Sequence, residues 1–181
     1  LDRPTDYWIN NVIATQRIFD RYKDKRILYA SSSTAYEPWK NPYAMSKYGM
    51  EQLEHFNCLG LRFTTVYGPG ARNTMFIPLI LNNAVSYVNV NHIRDFIHVD
   101  DVVSAIESVM HINLRGVLDV GTGKGHKLID IVDYFKLDYV KNIGNETERL
   151  NNTADTTILN NHGWKAKADL YKYIQRNRNV N

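Results

Sequence analysis

The spacing of apolar positions at the start of the chain predicts a helix and then a buried strand. Over residues 5–21 apolar and aromatic side chains recur at helical intervals, and Thr5, after Pro4, is the expected N-cap. That stripe consists of Trp8, Val12, Thr15 and Phe19. Residues 26–30 form a short apolar run, which is typical of a strand covered on both faces in a parallel sheet.

The same alternation continues to the end of the chain. A second helix is predicted from Tyr43, after Asn41 and Pro42, to about His55. Further strands are predicted at 59–65, 85–90, 95–99 and 116–120. Further helices are predicted at 75–81, 100–111, 126–136, 156–162 and 168–176. Alternating strands and helices indicate an α/β fold with a mostly parallel, helix-covered sheet.

Two polar segments between these elements have alternative interpretations. Residues 121–125 (GTGKG) follow a strand as a phosphate-binding loop does. They lack the Lys-Ser/Thr ending and the third glycine of such loops, so we predict a tight turn. Asp100 and Asp101 are conceivable metal ligands, but their position at a strand–helix junction favours a capping role.

Composition places the chain among ordinary globular domains. Of its 181 residues 44% are hydrophobic and 23% charged, so it can bury a core and is not expected to be disordered. No apolar run reaches the roughly 18 residues of a membrane span, and no signal peptide opens the chain. The net charge of +3 is too small to argue for a nucleic-acid partner.

Cysteine and histidine usage excludes two further classes. The lone Cys58 cannot build a disulfide framework or a multi-thiolate zinc site, and it suits a reducing cytoplasm. The six histidines show no ligand spacing, so no metal is expected and each histidine is predicted to be exposed. We therefore expect a cytoplasmic protein with no membrane attachment.

Tyr43 and Lys47 are the first candidates for catalysis. They lie four positions apart, so a helix that starts here places both on one face. An ammonium beside a phenol favours the phenolate and lowers its pKa from about 10, which would make Tyr43 a general base for a substrate hydroxyl. The serines at 31–33, after the preceding strand, could bind the same oxygen. The alternatives are a helix-surface Tyr–Lys pair and plain turn or cap serines.

These features occur in an order that resembles a known family. After the serines and the Tyr-x-x-x-Lys helix come LRFTTVYGPG at 61–70 and RDFIHVDDVV at 94–103. NNV at 10–12, LDVGTG at 118–123 and TADTTILNNHGW at 153–164 also match. Together they resemble the extended short-chain dehydrogenase/reductase family, in its NAD-dependent nucleotide-sugar epimerase/dehydratase branch.

The resemblance implies roles for the catalytic residues. Tyr43 matches the base, and Lys47 matches the residue that lowers its pKa and holds the nicotinamide ribose of NAD. The catalytic Ser/Thr lies four residues before the tyrosine of the S-S-x-x-V-Y-G pattern; Tyr36 is that tyrosine, so Ser32 is the match. Asn11 matches the helix asparagine that supports the site.

The resemblance also implies a set of substrate contacts. Arg94 and Arg149 match arginines that grip the nucleotide diphosphate, for which a guanidinium is chemically suited. Ser33 is the fallback for the catalytic serine and, like Thr65, a candidate substrate contact; the family usually has Asn where Thr65 stands. The alternative for Arg94 is a salt bridge to Asp95 or Asp100.

Residue differences within the resemblance favour an epimerase. Sugar 4,6-dehydratases carry an Asp-Glu pair after the catalytic residue, and the corresponding residues here are Ser33 and Thr34. Epimerase-reductases of the fucose type place a Cys beside the serine, whereas Cys58 lies elsewhere. The expected function is NAD-dependent epimerisation of a nucleotide-diphosphate sugar. The alternatives are a related reductase or dehydratase, and a shortened non-catalytic module that binds nucleotide sugars or pairs with a homologue.

The expected organisation is a partial Rossmann-type parallel sheet with a smaller C-terminal substrate-binding subdomain. Residues 1–69 and 99–123 are assigned to the Rossmann part, and 70–98 and 124–181 to the substrate side. No counterpart of the glycine-rich pyrophosphate turn is present, and a complete relative would carry roughly 60–80 residues before Leu1. We therefore expect this chain alone to bind NAD poorly. The resemblance also implies a homodimer.

Overall fold

A computed structural model describes residues 3–53 and 56–178 of the chain. The α-helices are α1 (Pro4–Tyr7), α2 (Ala14–Arg21), α3 (Pro42–Glu51), α4 (Phe76–Leu81), α5 (Val99–Met110), α6 (Leu128–Tyr134), α7 (Thr157–Asn161) and α8 (Leu170–Asn177). The strands are β1 (Ile27–Ser32), β2 (Cys58–Phe63), β3 (Thr65–Tyr67), β4 (Tyr87–Asn89), β5 (Ile93–His98), β6 (Gly116–Val120), β7 (Gly125–Lys127) and β8 (Val140–Asn142). The predicted α/β fold is confirmed.

The main sheet is parallel, in the order β1-β2-β6. Strand β2 is central and Leu61 is paired with Ala30 on one side and Leu118 on the other. Helix α5 covers this sheet through Val102, and its apolar side chains are buried with those of β2 and β6. The continuous apolar runs of these strands follow from burial on both faces.

A second group of strands builds the other half of the molecule. Strand β5 pairs in parallel with β3 and antiparallel with β7, while β4 and β8 form a parallel pair. Helices α4, α6 and α8 enclose a core here that contains Ile80, Ile131 and Ile174. Leu159 and Trp164 instead pack in the core of the main sheet. The sequence predicts that residues 124–181 belong to the substrate side. The α7 segment within that range packs on the main sheet instead.

The predicted first helix forms, with one irregularity. Its middle, Trp8–Ile13, is a π-helical segment between α1 and α2. Val12 and Phe19 are buried as expected, at 8% and 2% exposure, whereas Trp8 is 43% exposed. Thr5 is not the cap: Pro4 is already the first helical residue, where its missing N–H costs nothing.

Helix starts show where capping was predicted correctly and where it was not. Asn41 caps α3, accepting a hydrogen bond from the N–H of Ala44 at 2.8 Å, and Pro42 follows it as predicted. The helix ends at Glu51, and His55 lies outside the described residues. The capping role predicted for Asp100 and Asp101 is wrong for α5, because Nδ1 of His98 accepts from the N–H of Asp100 at 3.2 Å.

Asp101 is buried and serves a different segment. Its carboxylate accepts hydrogen bonds from the backbone N–H groups of Lys167 and Ala168, at 3.0 and 2.9 Å. It thereby ties α5 to the segment that leads into α8. Within the described ranges, no helix has the length and apolar character needed to cross a bilayer.

Candidate functional site

The serine segment lies at the carboxyl end of β1, where parallel strands commonly place binding groups. Ser32 is in an extended conformation and begins a short 3-10 turn. Its Oγ accepts hydrogen bonds from the N–H and Oγ1 of Thr34, at 3.2 and 2.9 Å. Since Ser32 Oγ is the acceptor in both bonds, its own hydroxyl hydrogen is available to a third group.

Tyr43 and Lys47 lie on one side of α3, as their spacing predicted. The ammonium nitrogen of Lys47 lies 5.8 Å from the centroid of the Tyr43 ring. Lys47 Nζ donates to the carbonyl of Ala30 at 2.8 Å, which fixes it against the end of β1. The ring of Tyr7 contacts that of Tyr43 edge-on, with centroids 5.5 Å apart. The strand end and α3 therefore bring the phenol, the ammonium and Ser32 together.

The predicted lowering of the Tyr43 pKa is wrong for the chain by itself. Burial raises the pKa of Tyr43, and a hydrogen bond with Ser32 opposes that rise, with a smaller opposing contribution from Arg72. Burial also lowers the pKa of Lys47, with Glu51 acting in the opposite direction. The physical reason is that sequence spacing gives the proximity of two charges but not the desolvation of both groups.

Asn11 supports α3 from the π-helical segment. Its Nδ2 donates to Oγ of Ser46 at 2.9 Å, and Ser46 in turn donates to the carbonyl of Tyr43 at 2.8 Å. Ser46 is buried. This chain of hydrogen bonds connects Asn11 to the backbone of the candidate base rather than to the hydroxyl groups.

A cavity of about 360 Å³ lies beside the serine segment. Five of the predicted site residues line it: Ser32, Ser33, Thr65, Arg94 and Arg149. Thr65 Oγ1 accepts a hydrogen bond from Nδ2 of the buried Asn152 at 3.0 Å, so its hydroxyl is held at the wall. These five residues are spread over more than a hundred positions of the sequence. The fold brings them together because the cavity lies at the end of β1 and at the beginnings of β3 and β5.

Arg94 is the most firmly held cation of the cavity. One of its terminal nitrogens donates to the carbonyls of Ile93 and Leu150, at 3.0 and 3.1 Å. The other contacts Nδ1 of His92 at 3.0 Å and the carboxylate of Glu148 at 3.2 Å. The alternative salt bridges to Asp95 or Asp100 are wrong, because the ion-pair partner is Glu148.

Asp95 is fully buried and occupies the glycine turn instead. Its carboxylate accepts hydrogen bonds from the N–H groups of Thr122 and Gly123, at 3.0 and 2.9 Å, and from the Thr122 hydroxyl at 2.6 Å. These are the donors that a phosphate would need in a phosphate-binding loop. The prediction of a tight turn at 121–125 is confirmed.

Arg149 is bound to the serine segment from the opposite side of the cavity. Its guanidinium donates to the carbonyl of Ser33 at 2.8 Å and pairs with Glu37 at 3.5 Å. It also stacks on the ring of Tyr36, with Cζ 4.7 Å from the centroid, while Arg62 covers the ring at 4.1 Å. Arg149 therefore stabilises the serine segment and also lines the cavity.

Several residues of this site were not found from the sequence. His92 was predicted to be exposed, but it is only 1% exposed and lies behind Arg94. Glu148 and Asn152 gave no signal, because both come from an irregular segment far along the chain. Tyr36 could have been singled out, since it belongs to the serine motif. In the part of the chain that the structure describes, no group of three or more His, Cys, Asp or Glu side chains could hold a metal ion.

Comparison with known proteins identifies the class. A family model described as the NAD dependent epimerase/dehydratase family matches residues 1–121. The chain belongs to this family, and the resemblance inferred from its motifs is confirmed. The family is NAD dependent by its description, and the curated relatives of this chain include nucleotide-sugar epimerases.

Individual relatives are moderately similar. CDP-abequose synthase of Salmonella typhimurium (strain LT2) is 28% identical over 162 residues, which cover 74% of this chain and 54% of that protein. ADP-L-glycero-D-manno-heptose-6-epimerase of Brachyspira hyodysenteriae is 27% identical over 167 residues, covering 72% and 52%. The structure of MoeE5 in complex with UDP-glucuronic acid and NAD superposes with a TM-score of 0.77 at 26% identity, covering 93% and 69%. The chain spans about half the length of these curated relatives.

Proposed function

We propose that the complete gene product epimerises a nucleotide-diphosphate sugar by transient oxidation, with Tyr43 as the base. The observation that carries this proposal is the cluster at the end of β1. There Tyr43 lies beside Lys47 and interacts with Ser32, and Ser32 lines the cavity that contains the guanidinium of Arg94, although Tyr43 and Lys47 do not themselves line it. Relatives named for CDP-, ADP- and UDP-linked sugars support the same substrate class.

The site accounts for the proton that an oxidation must remove. Because burial raises the pKa of Tyr43 in the chain by itself, the base must be the ionised phenol, which nearby positive charge on Lys47 and on an oxidised nicotinamide would favour. Ionised Tyr43 Oη accepts the proton of a sugar hydroxyl while the C–H hydrogen of that carbon leaves as hydride, and the C–O bond becomes a carbonyl. The hydroxyl hydrogen of Ser32, which serves Tyr43 in the structure, can be donated to the same substrate oxygen. A bound NAD would supply the hydride acceptor and donor of this cycle. When hydride is added back to the opposite face of the keto-sugar, Tyr43 returns its proton to the carbonyl oxygen, and the configuration of the carbon is inverted.

The residues present fit the nicotinamide ribose of NAD. Lys47 Nζ uses one donor on the carbonyl of Ala30, and an ammonium carries three donors, so it can also bind ribose hydroxyls. The adjacent Tyr43 hydroxyl lies on the same side. The turn at 121–123 does not fit the pyrophosphate, because Asp95 occupies its N–H groups.

Ion pairing in the cavity favours epimerisation over dehydration. Eliminating water from a sugar needs an acid to protonate the leaving hydroxyl and a base to remove a carbon-bound proton. Among the described residues the carboxylates that line the cavity are Glu37 and Glu148, and each is paired with an arginine, Arg149 and Arg94. In the structure both carboxylates therefore serve as ion-pair partners of the arginines, and this supports the epimerase over the dehydratase.

The proposal also includes a homodimer in the cytoplasm. Large apolar side chains are exposed on the π-helical segment and on α3, among them Ile9, Ile13, Met45 and Tyr48. Two copies of this surface would form a four-helix contact that removes them from water. Light scattering on the complete gene product should give twice the monomer mass.

Product analysis tests the reaction. The complete gene product is incubated with CDP-, UDP- or ADP-linked sugars, with NAD in one series and NADH in a second, and products are followed by NMR together with NADH absorbance. An epimerase yields the epimer with no net NADH. Net consumption of NADH would show a reductase, a 4-keto-6-deoxy product a dehydratase, and no turnover with any sugar a non-catalytic module.

Two matched variants test the base. Tyr43→Phe removes only the phenolic oxygen, and we expect turnover to fall at least about a hundredfold, the typical contribution of general-base catalysis. Tyr48→Phe makes the same change on the exposed side of α3 and should retain activity. Equal activity of the two variants would remove Tyr43 from this role.

A further inference from the structure

His92 is buried directly behind the arginine of the cavity. Its side chain is 1% exposed, and Nδ1 lies 3.0 Å from a terminal nitrogen of Arg94. A guanidinium can only donate, so Nδ1 must be the acceptor and the ring is neutral with its hydrogen on Nε2. The backbone at Gly144 blocks the ring from the other side, since a Cβ there would overlap Nε2. The imidazole is therefore packed between Gly144 and Arg94.

Burying His92 in this way costs folding free energy, and a histidine that served only to fill the core would give no return for that cost. Nε2 is buried and has no hydrogen-bond partner among the described residues. A buried unpaired N–H destabilises the fold, and an apolar side chain would avoid that cost. The close contact that His92 gains in return is the one between Nδ1 and Arg94. The next nearest polar groups to Nδ1 are the Glu148 carboxylate at 3.4 Å and the Asn89 amide at 3.5 Å.

The partners of Arg94 divide into fixed and exchangeable groups. His92 and the carbonyls of Ile93 and Leu150 hold the guanidinium from inside the protein. Glu148 holds it from the solvent side and is 52% exposed. A dianionic diphosphate that enters the cavity can replace the single carboxylate of Glu148, whereas it cannot displace buried His92.

We propose that His92 is a positioning residue that keeps the Arg94 guanidinium facing the cavity, and that Glu148 is the counter-ion a diphosphate displaces. The inference rests on the proposed function, because it assumes that Arg94 binds the diphosphate. It assigns His92 no contact with substrate. A neutral acceptor behind Arg94 leaves the positive charge undiminished for the ligand, which a buried carboxylate in the same place would not do.

Protonation of His92 should weaken the ligand. The charged groups that face it are Arg94 from β5 and Glu148 from the loop after β8, while β4 contributes the uncharged Asn89. Burial lowers the pKa of His92 and Arg94 adds to that lowering, with Glu148 opposing both, so the ring is neutral at neutral pH. Once protonated, Nδ1 no longer accepts from Arg94 and the two cations repel.

The test measures Kd by calorimetry on the NAD-loaded complete gene product. The probes are CDP-, UDP- and ADP-glucose, with the parent nucleosides as phosphate-free controls. We expect His92→Leu to weaken nucleotide-sugar binding about tenfold, which corresponds to about 1.4 kcal/mol. Nucleoside binding should stay unchanged. His92→Asn should keep most of the affinity because Oδ1 replaces Nδ1 as acceptor.

A pH series separates positioning from a merely structural role. As the pH is lowered from about 8 to about 5, the affinity of the wild-type protein for the nucleotide sugar should fall. The affinity of His92→Asn should not change with pH, because asparagine does not titrate in this range. The exposed His162→Asn variant should retain the wild-type slope. If His92→Leu does not fold, this comparison decides the question.

The results distinguish the inference from the proposed function. If Arg94→Ala weakens nucleotide-sugar binding and His92→Leu does not, the role of His92 is wrong and the proposed function stands. The same conclusion follows if His92→Asn keeps the wild-type dependence of affinity on pH. If Arg94→Ala leaves the affinity unchanged, the diphosphate site itself is wrong, and the role of His92 falls with it.

Discussion

Asp95 gives the sharpest prediction about stability. It is fully buried, and its carboxylate accepts hydrogen bonds from the N–H groups of Thr122, Gly123 and Ala154 and from the Thr122 hydroxyl. Asp95→Asn removes the charge and replaces one acceptor oxygen with an NH2 group, so about half of these donors lose their partner. Hydrogen bonds to charged groups contribute about 1.5–3 kcal/mol each. The free energy of unfolding should therefore fall by about 3–5 kcal/mol.

Urea denaturation of the complete gene product, followed by tryptophan fluorescence, measures this loss. The midpoint should shift at an unchanged m-value, because the surface exposed on unfolding is the same. Asp138→Asn is the matched control: Asp138 is exposed, and its substitution should change stability by less than about 0.5 kcal/mol. A loss below about 1 kcal/mol for Asp95→Asn would refute the conclusion that this carboxylate organises the glycine turn.

Three further changes should show the packing and charge of the core. Gly60→Ala should lower the free energy of unfolding by about 1–3 kcal/mol, because the new Cβ would lie 2.6 Å from the ring of Tyr29. An unchanged free energy of unfolding would contradict that packing. Glu51→Gln should cost about 2 kcal/mol by leaving the partly buried Arg62 without its carboxylate, and full retention of stability would argue against the pair. His92 has a lowered pKa, so the unfolded chain binds more protons below about pH 6.5 and stability falls as the pH falls. His92→Asn should flatten this decline in unfolding experiments at several pH values.

Local features of the site could be predicted from the sequence. Asn41 and Pro42 define the start of α3, and a helix from that point necessarily places Tyr43 and Lys47 on one side. The serine segment follows an apolar strand, so its position at the strand end was also predictable. These predictions depend on residues within a few positions of each other, where helical and strand geometry are sufficient.

Long-range contacts and burial could not be predicted in the same way. The pairing of Arg94 with Glu148 joins residues 54 positions apart, and no periodicity indicates it. The burial of His92 and the partial burial of Tyr43 depend on how the two cores pack, so the exposure of His92 and the sign of the Tyr43 pKa shift were predicted wrongly. Sequence spacing gives neighbours along a helix, whereas desolvation is a property of the whole fold.

Isotope tracing tests the central claim most directly. A nucleotide sugar that carries deuterium at the carbon whose configuration changes is converted by the complete gene product in ordinary water. Transient oxidation predicts that the epimer keeps its deuterium at that carbon, and that Tyr43→Phe abolishes the conversion while Tyr48→Phe does not. Loss of the deuterium to solvent, or conversion by Tyr43→Phe at the wild-type rate, would contradict it.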